Sequence, residues 1–190
     1  MHYPARYTLT SGIGLTCLLI LLATTLASAQ SPVTKDESDG KWESLKYGPY
    51  TIQYPGDWEV DTSGQMGTSF ILFSPLTDPA DQFRENVNLL VQDLTGYDLT
   101  LDQYVEISED QIRTMVDNGH IISSTRIREG NPEFHKMIYS GTHDIYQLQF
   151  EQYYRVADQT AFVLTLTCET DQFGNYRKTG EAILNSFVIH

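Results

Sequence analysis

Cysteine is scarce: the 190-residue chain has two, Cys17 and Cys168. If the first is removed with a leader, no intramolecular disulfide can form, and stability has to come from packing. Basic residues are also few, 12 Lys and Arg against 25 Asp and Glu. That balance argues against nucleic acid and anionic lipid surfaces as partners, since both carry the same sign of charge. The sequence has no Gly-x-Ser-x-Gly elbow, no His-Glu-x-x-His helix and no phosphate-binding glycine loop, so the best-defined signatures of nucleophilic, zinc-dependent and nucleotide chemistry are missing. After residue 30 no apolar run approaches the ~20 residues that a membrane-spanning helix needs.

What is present is ample material for one core. Hydrophobic residues make up 41% and aromatic residues 12% of the chain, which suits a single domain of this length. Arg6 precedes an apolar run from Ile13 to Leu26 that ends in Ala27-Ser28-Ala29. Basic, apolar and small residues in that order form a secretory signal peptide over residues 1–29. A retained anchor would need a longer run, and this one is interrupted by Thr16, Thr24 and Thr25. Gly14-Leu15-Thr16 before Cys17 is a poor lipidation signal. Cleavage removes Arg6 and no acid, leaving 11 basic against 25 acidic residues and a net charge of -14. The protein is therefore expected outside the cytoplasm, periplasmic or secreted, with no transmembrane segment after cleavage.

Residues 30–44 are polar and lack an apolar period, and read as a flexible tether. The domain is expected over residues 45–190. Tyr50, Ile52 and Tyr54 alternate with polar residues before Pro55-Gly56 turns the chain toward Trp58 and Val60, giving strand, turn, strand. Thr68 to Ser74 is a short apolar strand, and Asp78 to Phe83 a loop or single helical turn. In Phe83 to Leu94, Val87, Leu89 and Val91 share one side of a central strand while Asn86, Asn88, Leu90 and Gln92 take the other. Thr100 with Gln103 forms a capping box. Leu101, Tyr104, Val105, Ser108, Ile112, Met115 and Val116 then recur at helical spacing, and Asn118-Gly119 provides the left-handed stop. Four period-two segments follow, over 121–129, 133–141, 145–156 and 161–169, on links too short for parallel crossovers. They predict an antiparallel meander. Asp171 is placed to cap a second helix with Phe173, Tyr176, Gly180, Ile183, Leu184 and Phe187 on one side, and Gly180 marks a close approach to the sheet. Residues 186–189 are expected as an extended tail.

The order of these elements, with Tyr50-Thr51-Ile52-Gln53-Tyr54-Pro55 and Trp58, Phe83-Arg84-Glu85-Asn86-Val87-Asn88, the helix after Leu101, Ala161-Phe162-Val163-Leu164-Thr165 and Ser186-Phe187, resembles the PsbP-like family, the extrinsic photosystem II subunit and its bacterial relatives. The resemblance spans roughly residues 45–189. It implies an α+β fold in which an antiparallel β-sheet is flanked by helices as an α/β/α sandwich, an extracytoplasmic site, and a binding or assembly role with no established catalysis. The acidic balance departs from the basic docking surface of the photosystem subunit.

The candidate site residues are few. Glu85, Asn86 and Asn88 can line a ligand pocket, carboxamides being good readers of ligand polarity; the ordinary alternative is that they bond nearby loop backbone and fix the strand's register. His143-Asp144 in a hairpin turn can hold a divalent metal if a third ligand comes from elsewhere, although a turn Asp more often bonds its own backbone. No other cofactor is expected. Cys168 shares a strand side with Leu164 and Leu166 and reads as a buried inert thiol. Tyr139, Tyr146, Tyr153 and Tyr154 can form a stacking surface or simply stabilise the sheet as cross-strand pairs. The expected function is a non-catalytic binding or assembly accessory of the cell envelope, with an envelope protein or a small ligand as partner. The alternatives are a soluble small-ligand or divalent-metal carrier, and a small secreted hydrolase that pairs a carboxylate such as Glu85 with a histidine.

Overall fold

A computed structural model describes residues 41–129 and 133–190. The expected signal peptide and the tether up to residue 40, together with the Gly130-Asn131-Pro132 link, lie outside the described residues. The described residues form ten strands and two helices: β1 (Trp42–Tyr47), β2 (Tyr50–Pro55), β3 (Glu59–Asp61), β4 (Thr68–Phe73), β5 (Asn86–Asp93), α1 (Leu101–Met115), β6 (Asp117–Ile127), β7 (Phe134–His143), β8 (Tyr146–Ala157), β9 (Thr160–Glu169), α2 (Phe173–Asn185) and β10 (Val188–Ile189).

Seven strands form one antiparallel sheet in the order β3-β4-β5-β9-β8-β7-β6, and β1-β2-β10 form a second, smaller one. The fold is α+β, an antiparallel sheet with α1 on one face and α2 on the other, and the small sheet shares the face of α2. The expected meander is β6-β7-β8-β9. Its last hairpin turns at Asp158 and Gln159, both with positive φ, the geometry whose twist matches that of the strands it joins.

Each face of the large sheet has its own core. Val87, Leu89, Phe162, Leu164, Leu166 and Cys168 pack with Ile183, Leu184 and Phe187 of the α2 segment and with Ile52 and Tyr54 of the small sheet. Leu90, Val163, Met137, Tyr139, Phe150 and Tyr154 pack under Leu101, Tyr104, Val105 and Ile112 of α1. The alternation read in β5 and β9 is thus a division between two cores rather than between core and solvent. At Gly180 a Cβ would lie 2.4 Å from Leu166 Cδ2, so the absence of a side chain lets α2 lie against β9. The Thr100–Gln103 capping box is present at the start of α1.

Several local expectations need correction. Trp42, Glu43 and Ser44, assigned to the tether, belong to β1 and pair with Pro55, Tyr54 and Gln53; their exposure on an edge strand deprives them of an apolar period. β3 pairs with β4 and not with β2, so Pro55-Gly56 passes the chain from the small sheet to the large one. α1 ends at Met115, which is exposed, and the chain is already extended at Asp117; Asn118 does have a positive φ, but as the third residue past the helix. Gln172, not Asp171, occupies the cap position of α2, without a side-chain cap bond. The tail forms β10, which pairs with β2.

Candidate functional site

The Pro55-Gly56 turn that carries the chain between sheets also builds one wall of a groove. Gly56 N donates to Lys41 O at 2.8 Å and Trp58 N to Pro55 O at 2.9 Å, which fixes this wall. The opposite wall is the first part of α2. Between them lies a groove of about 470 Å³ lined by Lys41, Pro55, Gly56, Asp57, Trp58 and Thr77 on one side and Gln172, Asn175, Tyr176 and Thr179 on the other. The rings of Trp58 and Tyr176 meet edge to face at 6.4 Å. Trp58 is buried and belongs to the core beneath α2, whereas Tyr176 is partly exposed and packs against that core. The lining mixes two aromatic rings with hydroxyl and carboxamide groups, the composition of a surface that orients a ligand through a few hydrogen bonds.

Behind Tyr176 the groove is backed by buried polar groups. The Ser74 side chain acts on the Tyr176 hydroxyl, opposing the rise that burial gives it, and Ser74 Oγ lies 3.5 Å from Glu85 Oε2. Ser74 N also donates to Glu85 O at 2.8 Å, so β4 and the residue entering β5 are tied by backbone as well. Glu85 is 1% exposed. Burial, with backbone hydrogen bonds opposing it and the Asp81 and Glu169 carboxylates reinforcing it, pushes the Glu85 carboxyl up to about 7. Cys168 faces the same core, and burial raises its thiol far above the ordinary range; it is an inert packing group.

The three residues singled out on the central strand do not converge. Asn86 and Asn88 are buried and alternate with Val87 and Leu89, which places them on the α1 face of the sheet, while Glu85 belongs to the α2 face. Asn86 Nδ2 donates to Arg84 O at 3.2 Å and Asn88 Nδ2 to Asn86 Oδ1 at 3.5 Å. Thr167, Thr165 and Gln152 continue this polar band across β9 and β8. Neither Asn86 nor Asn88 lines the groove.

No histidine among the described residues approaches Glu85. Asn86 pairs with Thr167, Thr167 with Phe150 and Phe150 with Tyr139, so β7, which carries His135 and His143, lies three strand spacings away, roughly 14 Å. His120 is on β6, and His190 bonds Thr51 at 2.8 Å. Glu85 therefore has no histidine to pair with for the hydrolase reading, whereas Glu109 and His135 do meet, at Ser124 Oγ, at 2.6 and 2.7 Å. His143 Nε2 lies 3.5 Å from Asp144 Oδ2 in the β7–β8 turn, and no group of three His, Cys, Asp or Glu suited to a metal ion occurs among the described residues. Tyr139 and Tyr154 are buried, with Tyr139 stacked on Phe150 at 4.6 Å, and Tyr153 is stacked on Phe134 at 4.5 Å. These rings serve the cores.

Ion pairs around the buried Glu151 tie α2 to the sheet. Lys136 Nζ lies 2.6 Å from Glu151 Oε1 and 2.6 Å from Glu181 Oε1, and Arg177 Nε is 3.2 Å from Glu181 and 3.5 Å from Glu151. Burial acts against the Lys136 charge, but its two carboxylates outweigh that and hold the ammonium above its ordinary value. Burial raises the Glu151 carboxyl.

No family model matches the chain, and no curated protein matches it in sequence. Solved structures do match. The solution structure of cyanobacterial PsbP (CyanoP) from Synechocystis sp. PCC 6803 superposes with a TM-score of 0.58 at 12% identity, over 84% of this chain and 98% of that one. The fold is PsbP-like. Two more structures superpose similarly. PA94 from Pseudomonas aeruginosa, a protein of unknown function described as a putative regulator, has a TM-score of 0.57 at 12% identity, over 80% of this chain and 99% of its own. LpqN, involved in cell envelope biogenesis of Mycobacterium tuberculosis, has a TM-score of 0.55 at 14% identity, over 78% of this chain and 90% of its own. No helix among the described residues is long and apolar enough to cross a membrane. Within this PsbP-like fold, sequence reasoning missed the groove. Trp58 and Tyr176 were visible as aromatics, but no local signal brings residues 118 positions apart together.

Proposed function

We propose that this chain is an exported, non-catalytic binding or assembly accessory of the cell envelope, and that it engages its partner through the groove between the Pro55–Trp58 turn and α2. The observation that carries this reading is the groove itself: it joins two aromatic rings to hydroxyl and carboxamide side chains and to the charged Lys41 and Asp57. Glu85 and Ser74 are buried and tied to each other. The leader-like first 29 residues support export, and the fold shared with LpqN, a protein involved in cell envelope biogenesis, is consistent with an envelope setting.

The test is site-specific photocrosslinking in the native envelope from Asn175, with Asp144 in the β7–β8 turn as control. One partner captured from Asn175 and not from Asp144, and lost on Thr179→Arg, is the expected result. Equal capture from both positions would remove the groove as the contact. A parallel thermal-shift screen against divalent metals, sugars and short peptides separates a carrier from an assembly factor, because a ligand at a hundredfold excess over its dissociation constant stabilises the folded state by about 2.7 kcal/mol.

A further inference from the structure

The lining of the groove is ordered on both walls. Gln172, Asn175, Tyr176 and Thr179 recur at helical spacing and so share one side of α2 and its cap, while Gly180, Ile183 and Leu184 take the side packed on the sheet. Asn175 Nδ2 donates to Gln172 Oε1 at 3.0 Å. That bond leaves the Gln172 amide nitrogen as a donor and the Asn175 carbonyl as an acceptor. On the facing wall Thr77 Oγ1 donates to Asp81 Oδ2 at 3.0 Å, so its lone pairs remain to accept, beside the Asp57 carboxylate and the Lys41 ammonium. Both walls therefore mix donors with acceptors. A hydroxyl group, which does both, satisfies such a set.

Other ligand classes fit less well. Lys41 and Asp57 balance each other in the groove, and the 25 acidic against 12 basic residues of the chain oppose an anion. An extended peptide would need free backbone groups, but Gly56 N and Trp58 N are already bonded to Lys41 O and Pro55 O, and Pro55 has no N–H. The Trp58 and Tyr176 ring planes stand at 62° to each other. They form a corner rather than a parallel slot, so a flat heteroaromatic ring is not sandwiched between them, whereas the C–H groups of a puckered ring can touch both.

On the reading of this groove as the point of engagement, we propose that what enters it is a neutral carbohydrate of one or two sugar units. Asp57 accepts from two neighbouring hydroxyls, Gln172 and Asn175 bond further ones, and the Trp58–Tyr176 corner takes the C–H side of a ring. The volume of about 470 Å³ lies within the range of small-molecule sites.

The test follows the Trp58 indole and the Gln172 and Asn175 side-chain amide N–H correlations by NMR in the isotopically labelled protein, titrated with maltose, cellobiose and N,N′-diacetylchitobiose. The side-chain amide of Asn118 on β6 is the internal control. Expected is a saturable shift with at least one sugar at the groove groups and not at Asn118, with a dissociation constant of about 1 mM or below. Asp57→Ala, at an exposed position, should keep its melting temperature within a few degrees and bind at least about tenfold more weakly, as loss of charge-assisted hydrogen bonds gives. Thr179→Arg, which fills the groove, should abolish the shift. The proposal is overturned if no sugar moves the groove groups, if Asn118 responds equally, if folded Asp57→Ala or Thr179→Arg binds as the wild type does, or if tri-alanine saturates the shift and the sugars do not. Sugars without effect beside a protein captured from Asn175 would remove the carbohydrate and leave the groove as the contact. Should the variants fail to fold, the wild-type titration decides alone.

Discussion

Replacing Glu85 with glutamine should change how stability depends on pH. Glu85 is buried behind Tyr176, and its carboxyl titrates near 7 in the folded protein against 4.5 when unperturbed. Between those values the folded state holds a proton that the unfolded chain releases, so stability falls as pH rises through this window. The penalty is absent below about 4.5 and complete above about 7. At about 1.4 kcal/mol for each tenfold change in proton affinity it amounts to about 3 kcal/mol. Glutamine cannot ionise and keeps an oxygen to accept from Ser74, so E85Q should match the wild type within about 1 kcal/mol at pH 4. At pH 8 it should exceed the wild type by about 3 kcal/mol, or roughly 10 °C in melting temperature. Urea unfolding of both proteins from pH 4 to pH 8 measures this difference, because the contributions of Glu151 and of the carboxylates remote from Glu85 cancel between them. A difference that stays constant over that range would show that Glu85 holds its proton equally tightly in the folded and unfolded states, and the account of its burial would be wrong.

Three further outcomes are expected. G180V should destabilise by about 1–3 kcal/mol despite leaving a helix-compatible residue, because its side chain must displace Leu166 from β9; a urea midpoint at or above the wild-type value would contradict the packing described. K136M should cost about 3–5 kcal/mol by leaving Glu151 buried without its closest cation, and K136M/E151L should recover most of that loss in the same assay. T100A should lower stability by about 1 kcal/mol through loss of the α1 cap, and hydrogen exchange at the Gln103 amide should accelerate.

Much of the fold is legible in the sequence because its signals are local. The meander rests on period-two segments joined by short links, α1 on a capping box three residues across, and the close approach of α2 on a glycine inside an apolar stripe. Elements that depend on distant partners are not legible. β1 has mostly exposed residues and becomes a strand only because β2 lies beside it, and β3, three residues long, takes its partner from β4. Met115 keeps the helical spacing yet points to solvent, since α1 ends before the sheet can cover it. At the site, parity along β5 is enough to separate Glu85 from Asn86 and Asn88, whereas the groove requires α2 to be docked beside the Pro55 turn.

The pairing of β10 with β2 sets an order of events for the growing chain. Thr51 finds Val188, and Gln53 N reaches Ser186 Oγ at 2.8 Å, across more than 130 residues. A polypeptide emerging from a ribosome or a translocation pore can form α1 and the meander hairpins early, but the three-stranded sheet cannot close until residues 186–189 are free. The β1-β2 hairpin waits meanwhile with one edge unsatisfied, exposed to pairing with other chains. Late closure makes β10 the latch that covers Tyr50 and Thr51 of β2.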